Sequence, residues 1–378
     1  MAFLSIGFRP FFLAAALFAA VATIYWAIYL AGAPVPVPGD PFLWHGREMA
    51  FGFASALVAG FLLTAVGNWT GRRVAGPGLI AALALLWLAG RLVHAAGFVP
   101  PVLTAAVDLA FLPALAVVLA IPLIRAGVAR NLFVPPLILA WAAFNAAVHG
   151  EALGLWSGVA RPAVETVVWL LGVLMVLIGG RVIPFFTSRR LPHATVVARP
   201  RAGLAAAIVA VLVPAALLVS EPAAAAAMAV VGVLVLFRLS GWGTKETLGE
   251  PMLWVLHAGY AILGLAYLLG AVHYLGGPVP PNAPLHAIAA GALGTLGLGM
   301  MSRVALGHTG RPIVADRWVV TGFVLVIVGG LTRVAAAFWP LPDLWVVAGV
   351  LWGGAFAVYA VRYFGVVTRP RPDAVPLG

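Results

Sequence analysis

The chain is organised around residues 44–72, which read WHGREMAFGFASALVAGFLLTAVGNWTGR. Ionisable side chains stand at one end of this stretch, an apolar run fills its middle, and Asn and Arg follow at the other end. About 20 apolar residues are enough for a helix to cross a membrane. The stretch therefore predicts one membrane-spanning helix with ionisable side chains at one end.

One face of this predicted helix carries polar groups next to small residues. At about 100° per residue the face comprises His45, Glu48, Met49, Gly52, Ala56 and Ala59. Small residues allow a neighbouring helix to approach closely, or a planar cofactor to lie against the backbone. The pattern is compatible with both interpretations.

The composition of the whole chain is that of a polytopic membrane protein. Hydrophobic residues make up 63% of the 378 residues and charged residues only 9%, and the mean hydropathy is +1.09. The net charge of +11 comes from Arg and a single Lys that lie between apolar runs. This placement is typical of membrane topology and not of a phosphate-binding surface, so we expect no nucleic-acid partner.

Missing residue types and motifs narrow the function further. The chain has no cysteine, which excludes disulfides, thiolate ligands and covalent haem attachment. A metal must therefore be held by His, Met, Tyr or carboxylate. A phosphate-binding Walker loop, a dinucleotide fingerprint and a serine nucleophile elbow are also missing, which disfavours ATP-driven transport and the corresponding enzyme classes.

Twelve apolar segments predict an all-α, polytopic membrane protein with about twelve transmembrane helices in one bundle. The segments cover about residues 10–31, 43–67, 78–98, 102–124, 132–153, 162–184, 203–219, 222–239, 251–274, 283–307, 318–339 and 342–364. Residues 1–368 form the single predicted domain. The Pro-rich residues 369–378 are expected to be a short disordered cytoplasmic tail.

The distribution of basic residues predicts the orientation in the membrane. Sixteen of the 22 Lys and Arg residues lie in segments on the side of the N-terminus, and only Arg161 lies on the opposite side. The remaining five are inside or at the ends of spans. Because short cytoplasmic loops are rich in Lys and Arg, we expect both termini to be cytoplasmic.

Histidines and acids gather at the outer level of this topology. The outer histidines are His45, His94, His149, His273 and His286. The intramembrane acids at that level are Glu48, Asp108, Glu151 and Glu165. Ionisable groups are rare within spans and are usually functional, so the pattern predicts a metal site or a proton route in the outer half of the membrane.

Two of the outer histidines share a helix face with another polar residue. His94 follows Arg91 by three residues, and it is either an interfacial anchor or a ligand. His149 follows Asn145 by four residues, and an amide in that place is able to orient a ligating imidazole through its second nitrogen. Core packing remains the alternative for His149.

The other candidate histidines and two arginines also allow both a functional and a purely structural interpretation. His257 is either a ligand or a hydrogen-bonded core histidine, and His308 stands at a helix end. His286 opens a span with glycine at every third position over 291–297, which suits a close helix crossing or a cofactor slot. Arg181 and Arg303 lie near the cytoplasmic ends of their spans, where they snorkel to water or pair with a carboxylate.

Five segments together resemble a known family. They are GFRPFF at 7–12, the stretch at 44–71, GRVIPFFT at 180–187, LWVLHAGY at 253–260, and 285–311, which begins LHA and ends GHTGR. They are similar to the NnrS family of haem- and copper-containing membrane proteins linked to the bacterial nitric oxide response. The resemblance covers nearly the whole chain, and it implies a twelve-span inner-membrane protein that binds non-covalent haem b and copper.

The organising stretch departs from the family at one position. The family reads His-x-His-Glu-Met, whereas this chain has Arg47 in place of the second His. An Arg stays protonated and cannot ligate a metal. The departure therefore argues against copper here, and Arg47 is expected instead to neutralise a haem propionate.

The resemblance and the residues together predict a haem protein that binds nitric oxide or protects against it. The expected metal site is built by His45, His149 and His286, with His257 and His308 as further candidates. Candidate proton carriers are Glu48, Asp108 and Glu165. Candidate cofactor-binding arginines are Arg9, Arg47, Arg91, Arg181 and Arg303.

Reduction of nitric oxide would need electrons, and the chain shows no electron-entry domain. A quinol or a partner protein would have to supply them, so enzymatic turnover is left open. A secondary transporter or exporter of a small molecule or a metal complex suits twelve spans equally well. A membrane sensor without catalysis, with a signalling partner at the Arg-rich loops, is the third hypothesis.

Overall fold

The computed structural model describes residues 2–372, and within them the chain forms twelve long apolar helices and no strand. The spans are α1 Phe8–Leu30, α2 Pro41–Thr70, α3 Pro77–Ala96, α4 Pro101–Arg125, α5 Ala129–Ala152, α6 Ala160–Arg190, α7 Pro200–Leu217, α8 Glu221–Leu239, α9 Pro251–Tyr274, α10 Asn282–His308, α11 Arg317–Phe338 and α12 Pro342–Thr368. Each is long enough to cross a membrane. The predicted all-α, twelve-helix architecture is confirmed.

Local sequence signals set where these helices begin and end. Proline stands in the first turn of most spans, where its missing N–H leaves no hydrogen bond unmade. Asp40 caps α2 by accepting from the backbone N–H of Phe42 at 2.8 Å and of Leu43 at 2.9 Å. Gly71 ends α2 with a φ of 64°, a left-handed conformation that favours glycine.

The helix that the sequence placed at the centre of the fold is the most enclosed one. In α2, 89% of the most apolar 18-residue window is buried inside the protein, against 22% in α7. Spans α1, α6, α9 and α10 also have more than half of their windows buried. The organising stretch therefore forms the middle of the bundle.

Two central helices widen into π-helical turns. Residues Glu48–Phe53 interrupt α2, and Ala287–Leu293 interrupt α10. The assumption of about 100° per residue was therefore wrong over residues 48–53, because a π-helical turn holds more residues than an α-helical one. Each widened turn follows a histidine by one to three residues, His45 in α2 and His286 in α10.

The glycine row in α10 is filled by neighbouring helices. A Cβ atom on Gly294 would lie 2.5 Å from the indole nitrogen of Trp352, and one on Gly297 would lie 2.7 Å from Leu57. A Cβ atom on Gly330 in α11 would lie 2.9 Å from the Cα of Gly291. The row serves close helix crossings, which was one of its two interpretations.

The two ends of the described chain meet. Arg9 at the start of α1 donates from Nη1 to two carbonyl oxygens at the end of α12. They belong to Val367 in the last turn, at 2.9 Å, and to Arg369 just after the helix, at 2.7 Å. Both ends therefore lie on the same side of the bundle. Of the predicted tail 369–378, residues 373–378 lie outside the described residues.

Candidate functional site

A buried ion-pair network joins three helices at the end of the bundle opposite the two chain ends, the level that the sequence predicts to be the outer one. Arg91 of α3 donates from Nη1 to Oε2 of Glu48 at 2.8 Å, and its Nη2 pairs with Oδ1 of Asp108 in α4. All three side chains are at most 6% exposed as residues. Charges so deeply buried are stable only when paired and hydrogen-bonded, and this network provides both.

Two small features let the helices of the network approach each other. Gly90 leaves the space that Asp108 occupies, because a Cβ atom there would lie 2.8 Å from Oδ1 of Asp108. Trp87 donates from its indole nitrogen to the carbonyl oxygen of Gly52 at 3.0 Å, which ties α3 to the π-helical turn of α2. Phe18 occupies the space beside Gly52, so this part of the small face serves helix packing.

Two histidines lie next to Oδ2, the other carboxylate oxygen of Asp108. His149 of α5 contacts Oδ2 through Nε2 at 2.9 Å, and Nε2 of His94 lies 3.4 Å from the same oxygen. Asn145 donates to Oδ2 at 3.1 Å. The predicted shared face of Asn145 and His149 is present, but the amide bonds the carboxylate and not the imidazole.

The group formed by His94, Asp108 and His149 has the donor set of a metal site. One ligand atom from each lies within 4.8 Å of the other two. Two ligand atoms bonded to a tetrahedral metal at 2.0–2.1 Å are about 3.3 Å apart, close to the Nε2–Oδ2 separations found here. Two imidazoles and one carboxylate suit divalent iron, copper or zinc.

Arg47 adds a second guanidinium to this cluster. It contacts Nδ1 of His94, and its Nη2 lies 3.8 Å from Oε1 of Glu48. When both imidazoles are neutral, the positive charges of Arg47 and Arg91 equal the negative charges of Glu48 and Asp108. Because a guanidinium only donates hydrogen bonds, Nδ1 of His94 must accept, which places the proton of the neutral ring on Nε2. A metal bound at Nε2 therefore requires this contact to be released.

His45 and His286 lie apart from the group around Asp108 and close to each other. Both also lie near the guanidinium of Arg333 in α11. Nδ1 of His286 donates to the carbonyl oxygen of Asn282 at 2.7 Å, which leaves a lone pair on Nε2. Nδ1 of His45 is buried without a hydrogen-bond partner. The expected site of His45, His149 and His286 is therefore divided between two places.

The ring of His45 is held by an aromatic side chain. Trp26 of α1 stacks on the imidazole with ring centroids 4.7 Å apart and planes 11° apart. Trp26 is itself 6% exposed. This packing fixes the plane of the ring and leaves its edge nitrogens available.

The inner histidines are engaged in hydrogen bonds within the fold. His257 contacts the hydroxyl of Thr187 at 2.9 Å through Nε2 and that of Thr244 at 3.0 Å through Nδ1. Nε2 of His308 lies 3.4 Å from the amide nitrogen of Asn68. Both nitrogens of His257 are occupied, which favours its interpretation as a hydrogen-bonded core histidine.

Three of the candidate arginines lie near the opposite ends of the spans. Arg9 joins the chain ends as described, and Arg181 donates to Oδ1 of Asn131 at 2.8 Å. The guanidinium of Arg303 lies over the ring of Phe186, 4.3 Å from its centroid. These contacts place them with the inner residues and not with the outer histidines.

The remaining outer acids do not join Asp108. Glu151 accepts through Oε2 from the backbone N–H of Val159 at 2.6 Å and of Ala160 at 2.8 Å, and so caps α6. Glu165 is half-buried and lies near Arg161 and His273. The structure thus brings two of the three candidate proton carriers together, Glu48 and Asp108.

Two residues near these histidines and acids, His94 and Arg333, are not among the predicted site residues. For His94 the sequence allows both an interfacial anchor and a ligand, and the signals for the cluster are its spacing from Arg91 and the acid at the same depth in the next span. Arg333 is one of the five basic residues that lie inside or at the ends of spans. Its position in a span that otherwise lacks charge between its ends was the available signal.

An apolar cavity lies below the outer cluster, between α1, α2, α6, α9 and α10. It has an empty volume of about 670 Å³, including the space at its open side. Leu57, Phe61, Leu174, Leu293 and Met300 are among its lining side chains, and the remainder are also apolar residues or glycine. The cavity offers room to a small apolar molecule.

Comparison with known families gives a match over nearly the whole chain. A family model described as NnrS protein covers residues 2–371, nearly the whole chain. Comparison with curated proteins gave no match. The family and the buried group of His94, Asp108 and His149 together suggest a metal cofactor and a relation to nitric oxide. This multi-pass membrane protein belongs to the NnrS family.

Proposed function

We propose that this protein binds nitric oxide at a metal centre in the outer half of the bacterial inner membrane and so takes part in the nitric oxide response. The observation that carries the proposal is the buried group of His94, Asp108 and His149. Few folds place two imidazoles and a carboxylate together inside a membrane span without a function for them. Both termini are cytoplasmic in this proposal.

His94, Asp108 and His149 would hold iron or copper. The bound metal would supply an open coordination position that nitric oxide is able to occupy. Around it, Arg91 holds one oxygen of Asp108 in place, and Asn145 donates to the other. Such supporting contacts orient a ligand and change metal affinity strongly when they are removed.

His45 and His286 would hold haem b. Nδ1 of His45 has no protein partner, Nε2 of His286 keeps its lone pair, and the two rings lie near each other. The stacking of Trp26 on His45 and the hydrogen bond from His286 to Asn282 set the orientation of each ring. These are the features that an imidazole ligand to haem iron needs.

The apolar cavity supports the choice of ligand. Nitric oxide is small and uncharged, so it enters a membrane interior without a charged pathway. The cavity extends towards the inner half from Leu57, which follows the π-helical turn of α2, and from Leu293, the last residue of the π-helical turn of α10. It provides a place where the gas accumulates next to the outer cluster.

Turnover of nitric oxide is a further step that the outer acids do not favour. Glu48 and Asp108 are both paired with Arg91, an arrangement suited to balancing charge and fixing geometry and not to carrying protons. Glu165 lies away from them. Reduction would also require a quinol or a protein electron donor, so we propose binding as the primary activity.

The transporter alternative lacks support in the cavity. A secondary transporter of a metal complex needs polar groups at its midplane site. The described lining of the cavity consists only of apolar residues and glycine. A transported substrate would have to be apolar, which does not suit a metal ion or a charged complex.

The proposal is tested on protein purified in detergent from haem-replete cells. We expect a haem b absorption spectrum that shifts on addition of nitric oxide, and metal in excess of the haem iron. His149→Ala should lose the additional metal and keep haem, whereas His45→Ala and His286→Ala should lose haem. His193→Ala, a loop substitution, is the matched control and should keep both.

A colourless and metal-free wild-type preparation would contradict the proposal and favour the transporter. Haem retained in well-folded His45→Ala and His286→Ala would refute the ligand assignment alone.

A further inference from the structure

Arg333 carries a buried nitrogen without a partner. Among residues 2–372, its Nη1 has no hydrogen-bond acceptor and almost no exposed surface. Burying a cationic donor without an acceptor is costly, and a protein normally avoids it. An acceptor that belongs to a ligand removes this cost.

The packing of two helices places Arg333 beside His286. Gly330 of α11 touches Gly291 of α10 so closely that a Cβ atom on Gly330 would lie 2.9 Å from the Cα of Gly291. Moving outward from this contact, Arg333 follows Gly330 by three residues, and His286 precedes Gly291 by about one π-helical turn. The guanidinium and the imidazole therefore stand at the same level of neighbouring helices.

His45 approaches the same place from α2. His45 and His286 both lie near the guanidinium of Arg333. The three side chains are all partly buried. Two imidazoles and a guanidinium therefore lie together where α2, α10 and α11 meet, and His45 and Arg333 each carry a buried nitrogen without a hydrogen-bond partner.

The other candidate arginines are already engaged. Arg91 pairs with Glu48 and Asp108, and Arg47 contacts His94. Arg333 has no ion pair within the described residues. We propose that Arg333 binds a carboxylate of the haem held by His45 and His286, an inference that rests on the haem site proposed above. A guanidinium suits this role because its planar fork matches both carboxylate oxygens.

The test separates this contact from a general effect on folding by changing both partners. Purified wild type, Arg333→Gln and Arg333→Lys are compared for the rate at which haem b is lost to excess apomyoglobin. The same measurement is made after reconstitution with haem b dimethyl ester, which lacks free carboxylates. Arg161→Gln, on a side chain that is 64% exposed, is the control for loss of an arginine.

Arg333→Gln should lose haem b about 10-fold faster than wild type, the change expected for one charge-assisted hydrogen bond. Arg333→Lys should fall between the two. With the dimethyl ester, wild type and Arg333→Gln should lose the cofactor at equal rates, because the partner of Arg333 has been removed from the ligand. The reduction midpoint potential should shift in Arg333→Gln with haem b only.

Equal haem loss from wild type and Arg333→Gln would overturn this inference and leave the haem site intact. A difference of the same size with haem b and with its ester would also overturn it, since Arg333 would then act through the fold or through a lipid headgroup. A wild-type protein that takes up no haem would overturn both the inference and the proposed function.

Discussion

The guanidinium of Arg47 lies against Nδ1 of His94 at the edge of the buried group that His94 forms with Asp108 and His149. This contact places a hydrogen-bond donor where a metal-ligating histidine usually donates its own proton. It also adds a positive charge next to the position of the metal. Arg47 therefore opposes metal binding at the group that best fits a metal.

Replacing Arg47 should tighten metal binding. In Arg47→Gln the side-chain carbonyl is able to accept from Nδ1–H of His94, which frees the lone pair on Nε2. We expect the affinity for a divalent metal to rise about 10-fold, the lower end of effects at supporting residues. Metal titration of the purified protein measures this, with the exposed Arg72→Gln as control. An unchanged affinity would show that Arg47 does not govern the site.

Removing Arg91 should destabilise the protein more than any single surface change. Arg91→Ala leaves Glu48 and Asp108 buried without their cation, and breaking such a pair is expected to lower the free energy of unfolding by about 3–5 kcal/mol. Arg161→Ala removes an exposed pair with Asp40 at 3.5 Å and should change it by about 0–1 kcal/mol. Thermal unfolding in detergent compares them. Similar Tm values for the two variants would contradict the buried network.

The close contact between α10 and α11 should not tolerate a methyl group. In Gly330→Ala the new Cβ would meet backbone atoms, the Cα of Gly291 at 2.9 Å and the carbonyl oxygen of Ala290 at 3.0 Å, which cannot move independently. We expect a loss of about 1–3 kcal/mol in the free energy of unfolding. Gly354→Ala, where nothing lies within 4 Å of the new Cβ, should be neutral or stabilising. Equal stabilities would argue against this crossing.

His257 should matter for stability and not for cofactor content. His257→Ala leaves the hydroxyls of Thr187 and Thr244 without their shared partner, at an expected loss of about 1–3 kcal/mol. Haem and metal per protein should equal those of wild type, as absorption and metal analysis will show. Loss of either cofactor from a folded variant would return His257 to the ligand set.

The cap of α11 should make stability depend on pH on the acid side. Burial acts to raise the pKa of Asp316, but the backbone N–H of Val319, the Arg362 guanidinium and the N–H of Trp318 together hold it below its ordinary value. The ionised carboxylate therefore stabilises the fold at neutral pH, and this contribution disappears as pH falls through the lowered pKa. Asp316→Asn keeps a capping side chain and should remove that part of the pH dependence of the Tm. A parallel pH profile for wild type and variant would refute it.

The candidate site was less predictable than the fold. The histidines and acids of the outer level were visible as ionisable residues in apolar segments, and Glu48, Asp108 and His149 proved to share one cluster. The separation of His45 and His286 from that cluster was not visible. It depends on how each helix is rotated about its axis, which hydropathy along the chain does not record.

The sequence by itself determined the twelve spans and the level of the polar groups, because a helix inside a membrane must satisfy its backbone internally and needs about 20 apolar residues, both local properties of the chain. Only the tertiary structure decided which polar groups meet. Arg91 reaches both Glu48 and Asp108 because Gly90 admits the carboxylate. Arg333 lies near His45 and His286 because α10 and α11 touch at glycine. The π-helical turns change the register of α2 and α10, and so the direction in which His45 and His286 point relative to the rest of their helices.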